Sequence, residues 1–135
     1  MATVKLSKRG TEYLSTIMAE LGFRNTPGKD NDRPTALRLA FAKGITADTL
    51  PNEETGKGPK EFEFNTNVIT KGNSILLKHL IINKLQRKIS DKEFNKYVLL
   101  FVEHGLEIMY KEIQGLTNMD NYMIYLFDKH TRMIN

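Results

Sequence analysis

The stretch from Ser90 to Gln114 constrains the fold of this chain more than any other. Ser90-Asp91-Lys92-Glu93 is a capping-box pattern, in which serine and glutamate satisfy each other's backbone donors at a helix start. The spacing of Phe94, Tyr97, Val98, Phe101, Ile108 and Met109 then predicts one long helix with these residues inward. Gly105 interrupts that helix at a cost of about 1 kcal/mol relative to alanine. Its expected use is therefore close approach of another helix, and His104 beside it is expected to pack or hydrogen-bond at a helix contact.

The remaining elements are shorter. Thr3-Val4-Lys5-Leu6-Ser7 alternates polar and apolar, as a half-buried strand does. Ser7 is placed to cap a helix from Lys8 to Leu21, whose inward stripe is Tyr13, Leu14, Ile17, Met18 and Leu21, with Gly22 as the left-handed stop. Turn formers from Gly22 to Arg33, including Asn25, Pro27, Gly28 and Asp30, predict an exposed loop. Pro34 opens a second helix that runs to Lys43, is apolar almost all round, and is expected to be buried and ended by Gly44. Residues 45–61 read as a mobile surface loop, and Phe62, Phe64 and Val68 as an extended segment pinning it to the core. A third helix is predicted from Asn73 to Lys88, with Ile75, Leu76, Leu80, Ile81 and Leu85 inward, and a last short one from Asp120 to Lys129. The expected fold is mainly α: one small helical domain over residues 1–135, of about five helices, with a short N-terminal strand and a ribbon-helix-helix-like start.

A chain of 135 residues buries roughly two thirds of the surface it exposes when unfolded, so a core of this size needs no disulfide or metal. It contains no cysteine, which excludes thiolate nucleophiles, zinc-cysteine sites and persulfide carriage by this chain. No apolar run approaches the roughly 20 residues that span a bilayer, and the expected location is the cytoplasm, with no membrane partner.

The histidines are His79, His104 and His130, and no two share the spacing that joins ligands on one helix face, so no metal site is expected. Glu103, Glu107 and Lys111, at four-residue intervals, read as a solvated face with an ordinary Glu-to-Lys pair rather than a catalytic carboxylate pair. Gly56-Lys57-Gly58 lacks the longer glycine-bounded turn and Lys-Ser/Thr of a P-loop. No serine stands in a nucleophile elbow. Neither a catalytic constellation nor a cofactor is expected.

The net charge of +4 is unevenly distributed. Residues 71–96 hold seven basic side chains against two acidic ones, whereas residues 51–70 and 97–135 each carry a surplus of two acids. Such segregation points to an anionic partner, DNA above all. The sharpest candidate is a basic corner of Lys84, Arg87, Lys88, Lys92 and Lys96, in which Lys84/Lys88 and Lys92/Lys96 flank the turn before Ser90. Lysines are mobile point charges suited to phosphate, so binding there is expected to be largely independent of sequence. A second candidate is the N-terminal unit, with Lys5, Lys8, Arg9 and Arg33. In a ribbon-helix-helix dimer the outward strand positions Thr3, Lys5 and Ser7 enter the major groove, and the second helix start near Arg33 and Thr35 holds a phosphate.

From Thr3 to about Leu116 the chain resembles the DNA sulfur modification protein E (DndE) family of bacterial DNA phosphorothioation systems. The resemblance is carried by Lys5-Leu6-Ser7-Lys8, by Ala36-Leu37-Arg38-Leu39-Ala40 behind Pro34, by Glu63-Phe64-Asn65 leading to Val68-Ile69-Thr70, and by Glu103-His104-Gly105-Leu106-Glu107. It implies a small helical homo-oligomer that binds DNA through surface lysines and works beside a sulfur-transferring enzyme and an ATPase. Lacking cysteine and a nucleotide loop, this chain is expected to be a non-catalytic, DNA-holding accessory subunit. The alternatives are a ribbon-helix-helix transcriptional regulator and a protein-binding scaffold that makes no contact with DNA.

Overall fold

The computed structural model describes residues 3–24, 31–52, 54–116 and 121–134. In chain order the elements are β1 (Thr3–Ser7), α1 (Lys8–Glu20), α2 (Arg33–Thr46), β2 (Lys60–Asn65), α3 (Asn67–Thr70), α4 (Ser74–Leu85), α5 (Asp91–Gln114) and α6 (Tyr122–Ile134). The domain is mainly helical, with a short N-terminal strand, as expected; the additional helix is the single turn α3. The predicted turn formers Asn25, Pro27, Gly28 and Asp30, and the predicted helix start at Asp120, lie outside the described residues. Among the described residues no helix is long and apolar enough to cross a membrane.

The α5 helix is the axis of the fold. Its capping box forms: the Glu93 amide donates to Ser90 Oγ (3.2 Å) and the Ser90 amide to Glu93 Oε1 (3.0 Å). Val98, Phe101, Val102, Leu106 and Met109 face the core and are fully buried. The α2 helix packs along this face more extensively than any other element. Two glycines permit the approach. A Cβ on Gly105 would lie 1.7 Å from the Ala40 carbonyl oxygen, and one on Gly44 would lie 2.1 Å from that of Phe101. Gly44 therefore does not end α2, as its sequence position suggested; the helix continues to Thr46, and the glycine serves as a contact surface.

On the other side, β1 pairs antiparallel with β2 in the register Thr3↔Asn65, Val4↔Phe64 and Lys5↔Glu63. Leu6 and Phe64 project from this ribbon into the core. Ser7 caps α1 through a bond from the Gly10 amide (3.0 Å), and Gly22 follows the helix at φ +70°. Val68 does not extend the strand; it lies in α3, because the chain turns at Thr66, whose carbonyl accepts the Ile69 and Thr70 amides. Residues 47–52 and 54–60 are tied down at more than one point. His104 bonds Thr49 (3.0 Å), and the Lys8 amide donates to the Pro59 carbonyl (2.8 Å).

The α4 helix departs most from expectation. It stops at Leu85 instead of Lys88, because Gln86 adopts the left-handed conformation at φ 58° and its amide donates to Ile82 O. Of the predicted inward stripe only Ile81 is buried, and Leu85 is half-buried. Ile75, Leu76 and Leu80 are exposed, Ile75 to 75%. The α6 helix likewise exposes Met123, Ile124 and Phe127 while burying Tyr122 and Leu126.

Candidate nucleic-acid interface

The turn from Gln86 to Ile89 joins α4 to α5 and presents the basic corner. Lys88, Lys92 and Lys96 are exposed there. The acids of the corner are occupied: Asp91 accepts from Lys78 Nζ (2.7 Å), and Glu93 closes the cap with Arg87 3.7 Å away. These contacts hold both carboxyls below the usual range. For Asp91 the Lys78 hydrogen bond and charge are responsible; for Glu93 the Ser90 amide is the largest cause, and Arg87 and Lys96 contribute. The Arg87 guanidinium lies 5.0 Å above the Tyr97 ring and the Lys96 ammonium 5.8 Å from its centroid, so one aromatic ring contacts two cations. Among the described residues, Lys88 and Lys92 make no ion pair, which leaves them open to an incoming phosphate.

Lys84 does not join this group. It is half-buried and donates to the carbonyl of Ala47 at the end of α2, so its ammonium secures a helix end instead of facing solvent beside Lys88. Since α4 ends at Leu85, Lys84 and Lys88 do not share a helical face.

The second candidate surface has a different character. Lys5, Lys8 and Arg9 are exposed, but Lys5 stands opposite Glu63 in the ribbon, and Glu61 is exposed on the same strand. Directly opposed side chains in such a ribbon lie about 5 Å apart, so the acid offsets the lysine field. Arg33 is half-buried, with its guanidinium 4.7 Å above the Phe62 ring. Ser7, a predicted outward position, is buried. The β1 strand also pairs with β2 of its own chain, whereas a ribbon-helix-helix dimer joins two copies through that strand.

Two buried carboxylates have no counterpart in the sequence pattern. Glu103, expected on a solvated face, is 4% exposed: its Oε2 accepts the Ser7 amide (3.1 Å) and its Oε1 the Ser7 hydroxyl (2.9 Å). Cβ atoms on Gly10 and Gly56 would lie 2.1 and 2.6 Å from its oxygens, so two glycines make room for the carboxylate. Burial raises its pKa against the bonds from Ser7 and the charge of Lys60. The expected Glu107–Lys111 pair is present at 3.1 Å. Glu112 is the second buried acid and binds Lys43 (2.9 Å), Lys129 (2.7 Å) and the Tyr122 hydroxyl (2.7 Å). Burial pushes its pKa up, but the hydrogen bonds from Lys129, Tyr122 and Lys43 outweigh that and hold it low. Nothing in local spacing announces either acid, since Ser7 and Glu103 are 96 positions apart.

Among the described residues no three potential ligands gather as a metal site. Compared with known proteins, the chain matches no family model and no curated relative.

Proposed function

We propose that this protein is a DNA-binding accessory subunit of a DNA phosphorothioation complex, gripping the phosphate backbone through the corner between α4 and α5. The observation that carries the DNA contact is the pairing pattern there: Lys88, Lys92 and Lys96 are exposed while the neighbouring carboxylates are occupied. A lysine cluster on a tight turn neutralises successive phosphates and releases counterions without reading bases. The mixed charge around Lys5 and Glu63, and the pairing of β1 within its own chain, favour this reading over the ribbon-helix-helix regulator. The pathway rests on the resemblance to the DndE family, and the lack of cysteine limits the chain to a role beside the sulfur donor. The apolar faces of α4 and α6 support self-association and docking of partner subunits.

Reconstitution tests the accessory role. The purified chain, given DNA, ATP and a sulfur source, is expected to incorporate no sulfur by itself and to raise incorporation when a sulfur-transferring enzyme and an ATPase of such a system are added. Phosphorothioate formed by the chain alone overturns the assignment.

A further inference from the structure

Beside the Gly44–Gly105 contact the chain builds a second polar centre. The close approach of α2 and α5 carries Lys43, the residue before Gly44, to a depth where its side chain is 7% exposed. A buried ammonium needs a partner, since an uncompensated one costs several kcal/mol. Glu112 supplies it, but Glu112 also accepts Lys129, so one carboxylate serves two cations. Lys43 Nζ lies 3.4 Å from His130 Nε2. Burial, together with the charges of Lys43 and Lys129, keeps the imidazole neutral more readily than usual. Nε2 then accepts from the lysine, and the ring proton on Nδ1 is a further donor.

Of these groups Lys43, Lys129 and His130 open on a cavity of about 550 Å³, whose lining also includes Asp48, Ala47 and Ile108. That volume lies within the usual range of small-molecule pockets. The carbonyl of Ala47, a residue of its wall, is already taken by Lys84, which occupies an acceptor that would repel an anion, although Lys84 itself does not line the cavity. Of the charged lining residues Lys43 and Lys129 stand against Asp48, leaving one positive charge over, and behind them Glu112 and Lys84, each bonded to a lining residue, cancel.

We infer that this cavity binds a phosphate group, held between the Lys43 and Lys129 ammoniums with His130 as a third contact. Separate point-charge donors from α2 and α6 suit a tetrahedral oxyanion better than the planar fork that a carboxylate prefers. Ile108 and Ala47 give an apolar wall for whatever carries the phosphate. The inference does not depend on the DNA contact at the α4–α5 corner.

Calorimetric titration with inorganic phosphate, a nucleoside 5′-monophosphate and the same nucleoside without phosphate tests it. Saturable binding is expected for one or both phosphate compounds at about 1 mM or tighter, and none for the nucleoside. Free phosphate binding as tightly as the monophosphate identifies the ion alone as ligand; a tighter monophosphate assigns the carrier to the cavity. Lys129→Ala and His130→Gln are chosen because Lys43→Met would strand Glu112. Lys129→Ala is expected to weaken binding at least tenfold, Lys129→Arg to restore most of it, and Lys88→Ala/Lys92→Ala to leave it unchanged. Absence of binding by the wild type overturns the inference. So does full affinity in folded Lys129→Ala and His130→Gln proteins, or loss in the Lys88/Lys92 variant, which would move the anion to the basic corner.

Discussion

The carbonyl oxygen of Ala40 occupies the place a side chain on Gly105 would need, 1.7 Å from where its Cβ would sit. The backbones of α2 and α5 therefore touch, and Phe101 and Phe41 meet edge to face beside them with ring centroids 6.3 Å apart. Gly44 makes the reciprocal approach to the Phe101 carbonyl, and its neighbour Lys43 and the neighbour of Gly105, His104, flank that contact.

Gly105→Ala is accordingly expected to destabilise the fold by about 3 kcal/mol or more, at the upper end of overpacking effects, although alanine is the better helix former. Urea unfolding should show a lower midpoint with an unchanged slope. Stability equal to wild type would mean that the helices are not in backbone contact.

Glu103 gives a pH-dependent test. Its folded pKa lies above the ordinary 4.5 because of burial. Stability from this group is thus fully present below the unfolded value and is lost as pH rises through the folded one. Glu103→Gln removes the titration, so its stability relative to wild type should improve as pH rises from about 4 to about 8. A difference that is flat, or falls with pH, contradicts the burial of an ionised carboxylate. Glu103→Ala, by contrast, strands the Ser7 amide and hydroxyl and is expected to cost about 1–3 kcal/mol.

Glu112 behaves in the opposite sense. Its pKa is held low, so its contribution is present above the ordinary glutamate value and disappears as acid protonates it. Glu112→Ala leaves Lys43 buried without a carboxylate, and a loss of about 3–5 kcal/mol is expected from urea unfolding near neutral pH. An effect below about 1 kcal/mol, the size typical of exposed pairs, would contradict the clamp between α2, α5 and α6.

The apolar face of α4 predicts self-association. Light scattering should give a mass above one chain at micromolar concentration, with closed symmetry. Replacing Ile75 and Leu76 by serine should lower that mass without unfolding the protein, since both side chains are exposed. A wild-type mass of one chain contradicts the prediction.

The long helix is legible in the sequence because its determinants are local: the Ser90–Glu93 box and the recurring apolar spacing lie within one element, and Gly105 signals a contact by being a poor helix former. Ser7 as a cap is legible for the same reason. The end of α4 is not, because Gln86 in a left-handed conformation has no compositional mark. Nor is the direction of α4, whose Ile and Leu residues fall in two runs on either side of Lys78-His79 and spread round the helix without a single dominant stripe. Glu103 escapes a local reading because the four-residue rhythm of Glu103, Glu107 and Lys111 describes one helix in isolation, while the Ser7 hydroxyl that buries its head arrives from the other end of the chain. At the candidate site, the exposed lysines follow from charge segregation. The diversion of Lys84 to Ala47 depends on where α2 ends, which the sequence pattern sets three residues early.

Whether the α4–α5 corner holds DNA through Lys88 and Lys92 is decided by the salt dependence of binding to random-sequence duplex. Removing one phosphate contact should reduce the magnitude of the log–log salt slope by about 0.9, so the Lys88→Ala/Lys92→Ala protein is predicted to bind more weakly, with a slope smaller by nearly two. Helix content should barely change, since Lys88 lies outside a helix and alanine suits the first turn of α5. Lys5→Ala/Arg9→Ala supplies the comparison, with a smaller loss expected because Glu63 already offsets Lys5. Unchanged affinity and slope in the Lys88/Lys92 variant, with a large loss in the Lys5/Arg9 variant, would contradict DNA binding at this corner and move the site to the β1–α1 surface.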